Sequence, residues 1–128
     1  MMLWNYMSFS KIGTARVDLI LPKDTYSPGD IIKGYYFIVG GARKQQVNRI
    51  ESDFILFNQT EGTKKVIDFT TILTSKMITS AEENTFPFAF KIPFDIPFSS
   101  NDVSYYFHTR IAFHKGIESK DQDSIIIV

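Results

Sequence analysis

The chain has 128 residues, enough for one domain with its own hydrophobic core and too few for two ordinary ones. Its 44% hydrophobic and 22% charged composition is that of a globular chain, and fourteen basic residues balance fourteen acidic ones, so no net charge draws it to nucleic acid or an anionic membrane. The lack of cysteine excludes disulfides, thiolate metal sites and cysteine nucleophiles, and it fits a reducing cytosol.

The first ten residues, MMLWNYMSFS, are apolar but lack a basic start, a sustained apolar run and a small-residue cleavage site, so no signal peptide is expected. No stretch approaches the roughly 20 apolar residues of a membrane-spanning helix. Met7 is a second candidate start. Residues 1–6 then form an extension, with Trp4 as an apolar anchor, and 1–11 lead into a domain over 12–128.

From Ile12 to Leu21, apolar residues alternate with Arg16 and Asp18 in the period of a half-buried strand. Ser27-Pro28-Gly29-Asp30 supplies turn chemistry, with Gly29 free to take a positive φ. A second strand over Asp30–Val39 is β-branched and aromatic. The connection Pro22–Gly29 is longer than a tight hairpin loop, so Pro28-Gly29 is read as the entry to the second strand, and the stretch is expected to join the two layers rather than to found one.

A third strand, Val47–Phe57, is apolar on both faces, and Asn58–Lys64 is a polar hairpin tip. The fourth strand, Lys65–Ile78, is expected to place Ile67, Phe69, Thr71, Leu73 and Met77 on one side and Asp68, Thr70, Thr74 and Lys76 on a solvated one. Phe86, Phe88, Phe90 and Ile92 alternate cleanly in a fifth, where Pro87 marks an edge or a bulge. Pro93–Pro97 is a structured loop, because its two prolines remove two donors. A sixth strand runs from Val103 to His114 with Val103, Tyr105, Phe107, Thr109, Ile111 and Phe113 inward. Lys115–Asp123 is a charged loop before a short last strand, Ser124–Val128. The fold class is all-β: an antiparallel two-sheet sandwich of immunoglobulin-like type.

Chemistry is sparse. His108 and His114 sit six apart on one strand, which separates their backbones by roughly 20 Å and prevents a shared metal. Glu51 with Asp53, Glu82 with Glu83, and Asp121 with Asp123 are read as surface pairs, because nothing in the sequence brings two of them to one cleft. Asp18, two residues from Arg16, belongs either to a solvated ion-paired face or to a charge that fixes registry between sheets; the solvated face is favoured. No catalytic, cofactor-binding or metal-ligating set is assigned, and no enzyme activity is expected. For protein contacts the candidates are Tyr35 and Tyr36, aromatics on opposite faces of one strand, and the terminal Ile125, Ile126, Ile127 and Val128. Four bare apolar residues at the terminus predict a homodimer formed by strand addition or swapping.

Several segments taken together resemble the bacterial sporulation-control protein family, whose members have an arrestin-like fold. They are Lys11-Ile12-Gly13, Ala15-Arg16-Val17-Asp18 with Leu21, Ser27-Pro28-Gly29-Asp30, Lys33-Gly34, Gly40-Gly41 and Gln45-Gln46-Val47 with Ile50. Further on come Phe88–Pro97, His108-Thr109 and Asp121-Gln122-Asp123. The segment Phe86–Pro97 is also similar to one in the N-terminal domains of arrestins. Members of the family usually carry two such domains, so the resemblance implies the first of them, with Asp121–Val128 as its last strand and linker. It further implies a cytoplasmic, non-enzymatic regulatory or scaffolding protein that works through protein partners in sporulation control. A β-sandwich that binds a sugar or a lipid is the alternative, since the aromatic share of 15% could supply exposed rings.

Overall fold

A computed structural model describes residues 15–116 and 118–128; the expectations for the extension, Trp4 and the start of the first strand fall outside them. In chain order the strands are β1 (Arg16–Ile20), β2 (Thr25–Tyr26), β3 (Ile31–Val39), β4 (Gln45–Asn58), β5 (Thr63–Leu73), β6 (Met77–Ile78), β7 (Glu83–Lys91), β8 (Val103–Phe113) and β9 (Glu118–Ile127). They form a three-stranded sheet, β1-β3-β7, and a six-stranded one, β2-β9-β8-β4-β5, to which β6 adds by pairing with β4. The described residues contain no helix. The expected all-β sandwich is the observed fold. Every pairing is antiparallel except the two-residue β2–β9 ladder, which is parallel.

The layers close on an aromatic core. Phe54 lies 5.3 Å from Phe90, 5.3 Å from Tyr105 and 5.1 Å from Phe107, and Phe88 meets Tyr36 and Phe107 edge-on. Each such side chain contributes about 1.5–3 kcal/mol through burial alone, and the offset and edge-on geometries add to it. One polar thread crosses this interior: the Tyr36 hydroxyl meets Ser52 Oγ at 2.7 Å, and Ser52 Oγ meets Thr109 Oγ1 at 2.7 Å. All three residues are fully buried, so the chain satisfies hydroxyls that would otherwise be costly to desolvate.

Four expectations change. The strands flanking Pro22–Gly29 are neighbours in one sheet, with Arg16 opposite Val39 and Ile20 opposite Tyr35. It is the short β2, inside the connection, that reaches the other layer, where it pairs with β9. The turn itself is as expected: Gly29 has φ +88°, and the Asp30 N–H donates to Ser27 O at 3.0 Å.

The expected fourth strand is two elements, and its faces are reversed. A bulge between Phe54 and Ile55 leaves Ile67 without a partner, so the alternation shifts by one residue. Ile72 and Thr70 then lie on the inner face opposite Ile50 and Ser52, while Phe69 and Leu73 are turned to solvent at 59% and 78% exposure. The charged segment after Lys115 is strand, not loop. Its Ser119 is buried, and Glu118, Lys120 and Gln122 pair opposite Ala112, Arg110 and His108 on the outer face.

The fourth change concerns the terminus. Ile125 and Ile127 are buried, β8 pairs one side of β9, and β2 takes the other through Ile126 N–H to Asp24 O (2.8 Å) and Val128 N–H to Tyr26 O (2.9 Å). The open edge that motivated strand addition there is already filled.

Candidate functional site

The six expected interface residues divide cleanly. Tyr36, Ile125 and Ile127 belong to the core, whereas Tyr35, Ile126 and Val128 remain at the surface. Tyr36 is pushed up to about 12 by burial, which its bond to Ser52 only partly offsets, so it stays a neutral hydroxyl across the physiological range. Its neighbour Tyr35 lines a shallow open trough on the outer face of the three-stranded sheet with Gly34, Phe37, Thr85, Phe86 and Pro87.

The densest charged group lies elsewhere, where β1 meets β9. Asp18, Asp121 and Asp123 bring carboxylate oxygens within 4.8 Å of one another. The arrangement follows from strand geometry. Asp121 and Asp123 pair opposite the buried Thr109 and Phe107, so they face inward on β9. At this end the interior is bounded by the open edge of β1, and the Leu19 N–H donates to Asp121 Oδ2 at 2.9 Å. The carboxylate thus occupies a backbone donor that β3 cannot reach.

Three carboxylates this close oppose one another's ionisation. Burial raises Asp123 to about 8, helped by its contact with Asp121 and by the charges of Asp121 and Asp18; its Oδ2 is enclosed and has no hydrogen-bond partner. Burial and Asp121 likewise raise Asp18 to about 6, with Arg16 acting in the opposite sense. A shared proton relieves the repulsion, and the same oxygens are of the kind a hard cation takes. Sequence reasoning placed Asp121 and Asp123 at the surface and favoured a solvated Asp18; Asp18 is exposed, but Asp121 and Asp123 turn inward and meet it, because β1 and β9 belong to different sheets and only the closed sandwich brings them together. Asp18 two residues from Arg16, with an acidic pair on the last strand, was the sole signal.

On the outer face of the six-stranded sheet, Arg110 bridges Glu51 and Asp53, the latter at 3.2 Å. The guanidinium bond holds the Glu51 carboxyl below its ordinary range, and Arg110 is raised in return. His108, opposite Asp53, is lowered by burial and by Arg110 and Lys120. His114 lies beyond the end of β8, at an exposed turn. Among the described residues neither histidine falls in a cluster with metal-ligand spacing; of the acidic groups, the aspartate trio has that spacing.

The family model described as "SpoOM protein" matches residues 5–128, nearly the whole chain. The chain belongs to the Spo0M sporulation-control family. The sporulation-control protein Spo0M of Bacillus subtilis (strain 168) is 31% identical over 122 residues, which are 91% of this chain and 47% of that protein. The crystal structure of Spo0M from Bacillus subtilis superposes with a TM-score of 0.80, covering 91% of this chain and 50% of that one. The chain thus spans about half the length of the curated Spo0M it matches. A variant of the superoxide reductase (neelaredoxin) from Ignicoccus hospitalis superposes at a TM-score of 0.57 over 94% of this chain and 86% of its own, but at 8% identity, and shows the sandwich fold alone.

Proposed function

We propose that this Spo0M-family domain is a non-enzymatic regulatory or scaffolding module that acts in the cytoplasm through protein–protein contacts in the control of sporulation. The observation that carries it is family membership across nearly the whole chain. Two features agree with a binding role. The charged groups best placed for chemistry are committed to architecture, Asp121 to the edge of β1 and Arg110 to two carboxylates. Large apolar side chains, including Phe69, Leu73, Phe94, Phe98 and Ile31, stand exposed.

In-cell crosslinking in the native host, followed by affinity capture and mass spectrometry, tests the proposal. The same cytoplasmic protein should return from independent preparations and be missing from an untagged control. Repeated blanks would overturn it. The Tyr35 trough supports a second reading, a sugar- or lipid-binding sandwich. A panel of such ligands should then raise the melting temperature of the wild type and not of Tyr35→Ala; uniform silence removes that reading.

A further inference from the structure

The basic and acidic residues that cancel along the chain are separated by the fold. Antiparallel pairing gathers the β3–β4, β6–β7 and β8–β9 connections, with the break between β5 and β6, at one end of the sandwich. The β2–β3, β4–β5 and β7–β8 connections lie at the other. That second end carries Asp24, Asp30, Glu61, Asp95 and Asp102. Two of its lysines are turned onto rings, Lys23 Nζ 5.2 Å from the centre of Tyr26 and Lys91 Nζ 5.1 Å from that of Phe94. The first end carries Arg43, Lys44, Arg49, Lys76 and Lys115, all exposed, and among the described residues none of these cations is in an ion pair. Of the carboxylates near them, Glu51 is held by Arg110, and Glu82 is folded back on Thr79, whose N–H and hydroxyl both donate to it at 2.8 Å. Glu83 and Glu118 stand on other strands, β7 and β9.

Backbone bonds set these cations side by side. The Val47 N–H donates to Lys76 O and the His114 N–H to Gln46 O, both at 2.9 Å. Lys76, the start of β4 and His114-Lys115 therefore occupy three neighbouring lines, about 4.8 Å apart. Arg43 and Lys44 lead directly into β4, and Arg49 stands on its outer face opposite Leu73. Two apolar side chains share this corner. Leu73 ends β5 on the outer face, and Met77, opposite Gln46, faces the same way because its neighbour Ile78 is fully buried. Both are exposed, and they project from the outermost line of the six-stranded sheet, beside the cations.

We propose that this corner, with Arg43, Lys44, Arg49, Lys76 and Lys115 around Leu73 and Met77, docks on an anionic lipid surface. Its chemistry is that of an interfacial binder: apolar side chains enter the boundary between headgroups and acyl chains, and the surrounding cations stay among the phosphates. A nucleic acid backbone would satisfy the cations and leave Leu73 and Met77 unused. The zero net charge does not oppose docking. The acidic end lies a strand length away, roughly 35 Å for the eleven residues of β8. That is several screening lengths of about 8 Å at physiological salt, so the near cations act while the far carboxylates do not. This inference holds whether or not the domain acts in sporulation control.

Cosedimentation of the 128-residue chain with vesicles tests it, using phosphatidylcholine alone and phosphatidylcholine mixed with phosphatidylglycerol. The chain should bind the mixed vesicles and not the neutral ones, and added salt should release it. Lys44→Gln and Lys115→Gln, in turns outside the strand ladders, should each weaken binding about fivefold, whereas Lys64→Gln at the opposite end should not. Because the chain has no cysteine, an environment-sensitive dye can be attached at one site at a time. On Met77→Cys its emission should shift to the blue with the mixed vesicles, and on Phe98→Cys, at the far end, it should stay unchanged. Should Met77→Cys fail to fold, Leu73→Cys takes its place. Binding that ignores lipid charge, an equal loss in Lys64→Gln, or a dye shift at Phe98→Cys without one at Met77→Cys would each overturn the proposal. So would binding to polyglutamate with none to either vesicle, which would assign the corner to an acidic protein.

Discussion

The two sheets are held together in two physically opposite ways. At the centre, Phe54, Phe88, Phe90 and Phe107 interlock across the layers, and the one polar thread there is complete from Tyr36 through Ser52 to Thr109. At the rim, where β1 meets β9, the contact is made by three aspartates that repel one another and keep one carboxylate oxygen enclosed without a partner. The centre depends on shape and is indifferent to pH. Crowding at the rim favours a retained proton, and the Leu19 N–H anchors Asp121 there. Charge in a sandwich seam is therefore a condition-dependent fastener, and aromatic packing is not.

The largest effect should come from the centre. Phe107→Ala removes a ring that touches Phe54, Phe88 and Phe90 and should cost about 3–5 kcal/mol in urea or thermal unfolding, with no change between pH 5 and 8. A loss much below this would mean that the core collapses into the gap and is less tightly interlocked than its ring geometry implies.

Ser52→Ala should cost about 1–3 kcal/mol, because it strands the Tyr36 hydroxyl and Thr109 in a dry interior. Tyr36→Phe should cost less, since Ser52 and Thr109 keep each other. If the two substitutions cost the same, the thread is not acting as a connected unit.

The rim should reveal itself through pH. Asp123 has a folded pKa raised from 3.8 to about 8, so the folded chain binds the extra proton between those values. The stability this contributes is complete below about 3.8 and is lost as pH rises through 8. Asp18, raised to about 6, adds the same sign at the lower end of that window, whereas the lowered His108 has the opposite sign near 6.5. The clean measurement is the difference between wild type and Asp123→Asn. The variant should melt several degrees higher at pH 8, and the gap should narrow as the pH falls and close only below about 4. A gap independent of pH would show that Asp123 is not a proton-holding group.

The smallest effect belongs to the outer face. Glu51→Gln breaks a partly exposed ion pair in which Arg110 keeps Asp53, and should change stability by about 0–1 kcal/mol, less in high salt. A larger loss would mean that the outer face supports the sandwich as strongly as the acidic rim does.

Much of this molecule was legible in its residues because burial imposes a period of two. The inward sets of β7 and β8, Phe88 and Phe90 with Tyr105, Phe107, Thr109, Ile111 and Phe113, are the ones their alternation marked. The Pro28-Gly29 turn and the edge position of β7 followed from the backbone limits of glycine and proline. Alternation failed at Ile67, where one bulged residue exchanges the faces of the rest of β5. It also failed in β9, whose charges read as a loop although their side chains lie on a solvated face or at the acidic rim.

Local patterning, set by covalent geometry and the hydrophobic effect along a few residues, thus determined the all-β class, the turns and most of the core. Contacts between residues about a hundred positions apart, such as the Leu19 N–H with Asp121, depend on which strands become neighbours and in what register. Tertiary structure alone decided that β9 is enclosed between β8 and β2 and that three aspartates share one seam. Pairing partners are chosen by the closing of the two layers, and no single strand carries that information.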